Sequence, residues 1–208
     1  MAVACPPIDS KRSFDFISIR SNLKEMEIEE VTPAELASYG QVPIRFWVRE
    51  RWTPTGFVPV AHPWEKDYDS PGNRPQDWHL HFDLARWGFL VARFEDQVIG
   101  GAAICRDTPG VDLLEDRPDL AHVWDIRVDP QFRGEGVGRR LWQHVEAWCR
   151  AHGVSELRVE SQDINAPACR FYARMGCELL SVNPGAYPEL PDEIQLIWGK
   201  QLGAAPGG

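Results

Sequence analysis

The sequence predicts an α+β domain built on a mixed sheet, and three observations carry that expectation. Strand-like stretches outnumber helical ones, the helices interrupt the strands only late, and one helix opens on a glycine cluster directly after a strand. A chain of 208 residues is long enough for one domain with a real core. Its composition, 43% hydrophobic and 25% charged, is that of an ordinary globular protein. Residues 1–12 and 203–208 read as loose, flexible ends around a single domain at 13–202.

In chain order, Phe14–Arg20 alternates and is β-branched, which predicts a first strand. Thr32 to Gly40 predicts a short helix, with Thr32 as N-cap, Pro33 at the first helical position, Glu35 in the first turn and Gly40 as the stop. Trp52 to Asp83 is rich in Pro, Trp, His and Asp and reads as an irregular segment with short elements, of a length that is often functional. Trp87 to Asp107 predicts a hairpin that turns at Glu95-Asp96-Gln97. A polar loop follows, then a strand at His122–Asp129, the glycine turn, and a helix from about Val137 to His152. Ser155–Ser161 is a strand, Asn165 to Gly176 a short helix, and Cys177–Val182 and Glu193–Gln201 the final strands.

Several function classes are disfavoured. VIGGAAIC, among the longest apolar runs, falls far short of the roughly 20 residues of a membrane span. The N-terminus has no basic stretch followed by an apolar core, so no secretory signal is expected. Five scattered cysteines without CxxC spacing predict neither a zinc site nor a disulfide framework, and the plain reading is a reduced cytoplasm. A net charge of −9 argues against nucleic acid as a partner and suits a cationic one.

The stretch Asp129–Gln143, DPQFRGEGVGRRLWQ, is the most informative. Glycine within a helix costs roughly 1 kcal/mol against alanine, so the cluster needs a reason. It is either a tight turn with a solvated basic patch or a backbone that lies against a ligand. A helix N-terminus offers free N–H groups and partial positive charge, hence an anion site. The phosphate-loop and dinucleotide patterns are both missed, but Q-x-x-G-x-G from Gln131 to Gly136 is matched. Downstream stands N-x-x-A-x-x-F-Y-x-x-x-G, from Asn165 through Ala168, Phe171 and Tyr172 to Gly176.

These paired motifs resemble the GCN5-related N-acetyltransferases over about residues 87–200, and within that family VWDIRV (123–128), RVESQDINAPACRFY (158–172) and LLSVNPGAY with EIQLIW (179–187 and 193–198) are most similar to the streptothricin acetyltransferases. The resemblance implies a central, mostly antiparallel sheet with two splayed parallel strands, Val123–Asp129 and Glu156–Ser161, and flanking helices. It implies acetyl-CoA as the donor and a primary amine as the acceptor; separately, no metal is expected. The backbone of Ile126 and Val128 would pair with the pantetheine arm, and Arg127 between them would belong to the same cofactor site. Gln131, Arg133, Gly134, Gly136, Val137, Gly138 and Arg139 would surround the pyrophosphate. Asn165, Ala168, Phe171 and Tyr172 would lie along the thioester end.

Acetyl transfer needs a proton acceptor for an amine of pKa about 10, a donor for the oxyanion, and an acid for the leaving thiolate. Tyr172 is the candidate acid. Asp125 and Glu160, on the two splayed strands, either accept the proton or grip a cationic substrate; Asp125 alternatively pairs with Arg127 or Arg158. His122 is a third candidate base. Asp163 reads as a cap of the helix that follows, and Trp124 as a core residue. The aromatic and acidic loop Trp64–Asp83 either walls a cationic pocket or packs on the surface. His79 and His81 lack a third metal ligand, and Cys149 and Cys169 read as small core residues.

The resulting expectation is direct transfer to a small cationic amine, with streptothricin-like compounds among the candidates, in the cytoplasm. A peptide or protein acceptor and a non-catalytic acyl-CoA sensor are the alternatives. Apolar edges on the final strands are compatible with a homodimer.

Overall fold

The computed structural model describes residues 23–203; the strand expected at Phe14–Arg20 lies outside the described residues. Among the described residues, nine strands form two sheets and three α-helices accompany them. The strands are β1 (Glu27–Val31), β2 (Phe46–Thr53), β3 (Gly56–Lys66), β4 (Gly88–Phe94), β5 (Gln97–Arg106), β6 (Leu120–Val128), β7 (Glu156–Gln162), β8 (Glu178–Pro184) and β9 (Ile194–Gln201). The helices are α1 (Leu36–Tyr39), α2 (Val137–Ala151) and α3 (Ala166–Arg174). The main sheet has the order β1-β4-β5-β6-β7-β9-β8, and β2-β3 form a separate hairpin. Every neighbouring pair is antiparallel except β6 and β7, so the mixed α+β expectation holds.

α2 buries Val137, Leu141, Trp142, Val145, Trp148 and Cys149, a stripe at helical spacing, against one face of the sheet. The opposite face is covered by Leu36, Tyr39, Trp78, Leu84 and Trp87, packed over Phe89, Val91, Ala103 and Cys105. The helix expected from Thr32 is shorter: Pro33–Glu35 form a 3-10 turn before α1, and the Thr32 side chain makes no capping bond. Glu35 instead pairs with Arg93 of β4.

The segment expected to be irregular from Trp52 contains an 11-residue strand, β3. Pro59 and Pro63 obscured it, because proline cannot donate to a ladder. In a two-stranded hairpin both strands are edges. The register also breaks between Val48↔Trp64 and Glu50↔Pro59, which sets Pro63 outside the regular ladder. Asp163 is a second correction. Asn165 caps α3, accepting from the Ala168 N–H at 3.2 Å. Asp163, fully buried, accepts from Arg51 Nε at 2.7 Å and from the Ile194 N–H at 2.9 Å, so it anchors β2 to the main sheet. The strand expectation from Val123, the helix at Val137 and the two final strands match to within a few residues. β8 forms an edge of the main sheet, with Leu180 and Val182 exposed.

Candidate active site

The strands β6 and β7 pair only from Leu120↔Glu156 to Val123↔Val159. Beyond that point they separate, and a cavity of about 1430 Å³ is lined by His122–Val128 on one strand and Val159–Gln162 on the other. Across β5 the register passes from Ile104↔Val123 to Ala103↔Asp125, which leaves Trp124 as an extra, bulged residue. Such a bulge re-aims the side chains that follow it. Trp124 packs edge-on against Phe82 at 4.9 Å and beside Trp87 at 5.4 Å, and it also faces the cavity.

One end of the cavity is the glycine turn. Gly134 and Gly136 sit at φ 83° and 88°, left-handed conformations that glycine adopts without steric cost. Gly136 precedes α2 and provides no side-chain cap, so the first N–H groups of the helix have no intrahelical partner. A Cβ on Gly138 would stand 3.3 Å from the Phe171 ring, so glycine lets α2 and α3 meet there. Arg139 is exposed at the cavity rim and pairs with no carboxylate among the described residues. The Arg133 guanidinium is already engaged: Nε donates to the Val128 carbonyl at 2.9 Å, and Nη2 to those of Pro43 (3.3 Å) and Arg45 (3.1 Å). Gln131 is exposed, its N–H bonded to the Asp129 carboxylate at 2.8 Å. Asn165, Ala168 and Phe171 line the cavity from α3.

The four candidate catalytic residues all line this cavity. Tyr172 is buried beside Phe171, Trp142 and Trp198, and its hydroxyl has no hydrogen-bond partner among the described residues. Burial above all, then the negative charge of Asp125, raises its pKa beyond the ordinary 10 and keeps it a phenol. Asp125 is doubly held: Arg127 Nε and Nη2 donate to it at 2.9 and 2.7 Å, and Tyr39 donates its hydroxyl. Of the pairings open to Asp125 in the sequence, the one with Arg127 is formed; Arg158 pairs with Glu115 and Glu156. Glu160 accepts from Tyr187 at 2.5 Å and from Gln195 at 2.7 Å. His122 is buried against Trp124 with Nδ1 unpartnered, and burial lowers its pKa from 6.5 to about 4.

Arg127 does not present its guanidinium to the cavity as a free cation. It is 2% exposed and bonded to Asp125, to Asp69 and to the Val42 carbonyl, the last two at 3.0 Å. The sequence reading also missed Tyr39, Tyr68, Asp69 and Tyr187, which touch the site from segments far away in the chain. The aromatic and acidic character of 64–83 was the available signal, and Tyr68, Asp69, Asn73 and Trp78 of that stretch do line the cavity. His79 and His81 instead bond the nearby carbonyls of Gln76 and Gly72. The four described cysteines are buried; burial pushes the thiol of Cys169 up to about 11 and those of Cys105, Cys149 and Cys177 to about 12. No helix among the described residues is long and apolar enough to cross a membrane.

These features define a class: an α+β domain in which one parallel strand pair opens around a cleft, with a helix N-terminus facing that cleft. Residues 45–177 match the acetyltransferase (GNAT) family, and the chain belongs to that family. The match begins well before residue 87, so it takes in the β2-β3 hairpin. Streptothricin acetyltransferase of Escherichia coli is 31% identical over 108 residues, 50% of this chain and 62% of that one, so less than two thirds of that relative is covered. Among solved structures, nourseothricin acetyltransferase superposes with a TM-score of 0.66 at 23% identity, over 86% of this chain and 99% of that one. A putative streptothricin acetyltransferase from Bacillus anthracis str. Ames in complex with acetyl coenzyme A gives 0.66 at 20% identity, over 85% and 99%.

Proposed function

We propose that this protein transfers the acetyl group of acetyl-CoA directly to a primary amine of a small cationic compound, with streptothricin-like antibiotics the first candidates. The observation that carries the reading is the unpartnered, protonated hydroxyl of Tyr172 in a cleft that also holds Asp69, Asp125 and Glu160. The residues present fit acetyl-CoA. The uncapped start of α2, the left-handed glycines before it and the free Arg139 suit a pyrophosphate. The edge of β6 beyond Val123, unpaired on the side of β7, offers the backbone of Ile126 and Val128 to an amide-bearing arm. Acetyl-CoA supplies an activated acyl group when bound.

The chain's own groups then divide the work. Asp125 and Glu160 are held by fixed donors, and their charge draws an ammonium group into the cleft. His122 is neutral at pH 7 and lines the cavity, so it is the group we assign to accept the first proton of the amine. Tyr172 gives its proton to the departing thiolate and takes back the second proton that the nitrogen loses as the amide forms. Direct transfer is favoured because the described cysteines are buried, with thiols that stay protonated at neutral pH.

The reading is tested by incubating the protein with acetyl-CoA and a panel of cationic amines, streptothricin among them, and following free thiol. Release that depends on one amine and is lost in Tyr172→Phe supports it. Binding of acetyl-CoA with no turnover on any amine rejects it in favour of a sensor or a peptide acceptor.

A further inference from the structure

The two residues Tyr68 and Asp69, adjacent in the chain, are bonded to opposite sides of the splayed strand pair. The Tyr68 hydroxyl donates to Oε1 of Gln162, at the end of β7. Oδ2 of Asp69 accepts from Nη1 of Arg127, on β6, at 3.0 Å. The same Nη1 donates to the Val42 carbonyl, while Nε and Nη2 hold Asp125. Arg127 also lies over the Tyr39 ring at 5.2 Å. One buried guanidinium therefore joins the segment after α1, residue 69 and β6. Tyr68 further packs on Phe46 of β2 at 5.5 Å. No backbone ladder joins β6 to β7 beyond Val123 and Val159.

We propose that Tyr68-Asp69 is a strap across the open strand pair, and that Arg127 and Gln162 are its anchors. The strap positions the acceptor side of the cleft. It sets the spacing between Asp125 on β6 and Glu160 on β7 and so governs which amine fits. This inference rests on the acetyl-transfer reading only for the identity of the acceptor. The bridging role itself is independent of that reading. Arg127 and Asp69 act through the residues they hold, so both are positioning residues.

The test releases each end separately. Tyr68→Phe removes only the hydroxyl, Asp69→Ala removes the carboxylate, and Asp69→Asn keeps an acceptor oxygen. Each release lowers kcat/KM for the amine about tenfold, since small misplacements at a reacting centre cost that much or more. Acetyl-CoA affinity, read by calorimetry, stays within about twofold, because the glycine turn is untouched. Asp69→Asn recovers part of the loss. Tyr68→Phe/Asp69→Ala falls short of the product of the single effects, because a strap freed at one end has little left to lose at the other. Hydrogen exchange reads the bridge without turnover: amides of residues 67–74 exchange faster in both single variants, while those of β4 and β5 keep their protection. If wild type acetylates no amine but these exchange changes appear, the function fails and the strap stands. Unchanged exchange, or equal losses for amine and acetyl-CoA, overturns the strap.

Discussion

In the proposed transfer, Tyr172 is a weak acid whose burial keeps its proton in place. A phenol in water near pH 7 is already protonated. Burial among Phe171, Trp142 and Trp198 keeps it so well into alkaline solution, and it holds the hydroxyl free of other partners. Tyr172→Phe should therefore lower kcat by about a hundredfold to ten-thousandfold, the usual range for general-acid work, with acetyl-CoA affinity unchanged. A stopped assay of thiol release beside calorimetric titration checks both. His122 gives a prediction of opposite character, on stability. Its folded pKa, about 4, lies below the 6.5 of the free imidazole, so between those values the unfolded chain binds the extra proton. Its contribution is fully present above pH 6.5 and is lost as the pH falls towards 4. At pH 5 the loss is about 2 kcal/mol relative to pH 7. Urea unfolding of wild type and His122→Gln at both pH values should show that increment in wild type alone.

At the scale of elements, close approach between the layers depends on small residues. Gly101 of β5 lies under Tyr39: a Cβ there would fall 2.3 Å from Cε2 of the ring and 2.6 Å from the Leu90 carbonyl oxygen. Gly101→Ala must push Tyr39 away from the sheet and so weaken its bond to Asp125. The expected cost is about 1–3 kcal/mol, as for other overpacked cores, measured as a lower urea midpoint at constant m. Elements whose own period matched their burial were legible in the sequence. α2 carried its stripe from Val137 to Cys149, and the hairpin of β4 and β5 carried apolar runs on either side of a polar turn. β3 was hidden because two prolines mask a strand that has only one neighbour. Asp163 was misjudged because Asn165, two residues on, caps with the same side-chain chemistry, and the ion pair with Arg51 spans the two sheets.

Over the whole molecule the two ends of the cleft differ in how they are encoded, and that difference decides what could be read from sequence. The end proposed to hold acetyl-CoA comes from two short stretches, 129–143 and 165–176, so its residues stand at fixed local spacing. The end proposed to take the amine is assembled from Tyr39, Tyr68-Asp69, Asp125, Glu160 and Tyr187, which meet only through the sheet order and the β2-β3 hairpin. No local period records such meetings. The charge of the assembled end nevertheless yields a global prediction. The chain carries 31 acidic against 22 basic side chains, and Asp69, Asp125 and Glu160 gather around the buried Arg127 in the cleft, while Arg133, Arg139, Arg174 and Lys200 also line the cavity. A polycationic amine is attracted by both the local and the overall field. Between about 0.01 M and 0.15 M salt the screening length falls from about 30 Å to about 8 Å, which removes the overall field and leaves the contacts. KM for a polyamine should therefore rise several-fold over that range, and that for a monoamine much less, with kcat steady for both. Equal salt dependence for the two amines would mean that the acidic surface plays no part in selecting the acceptor.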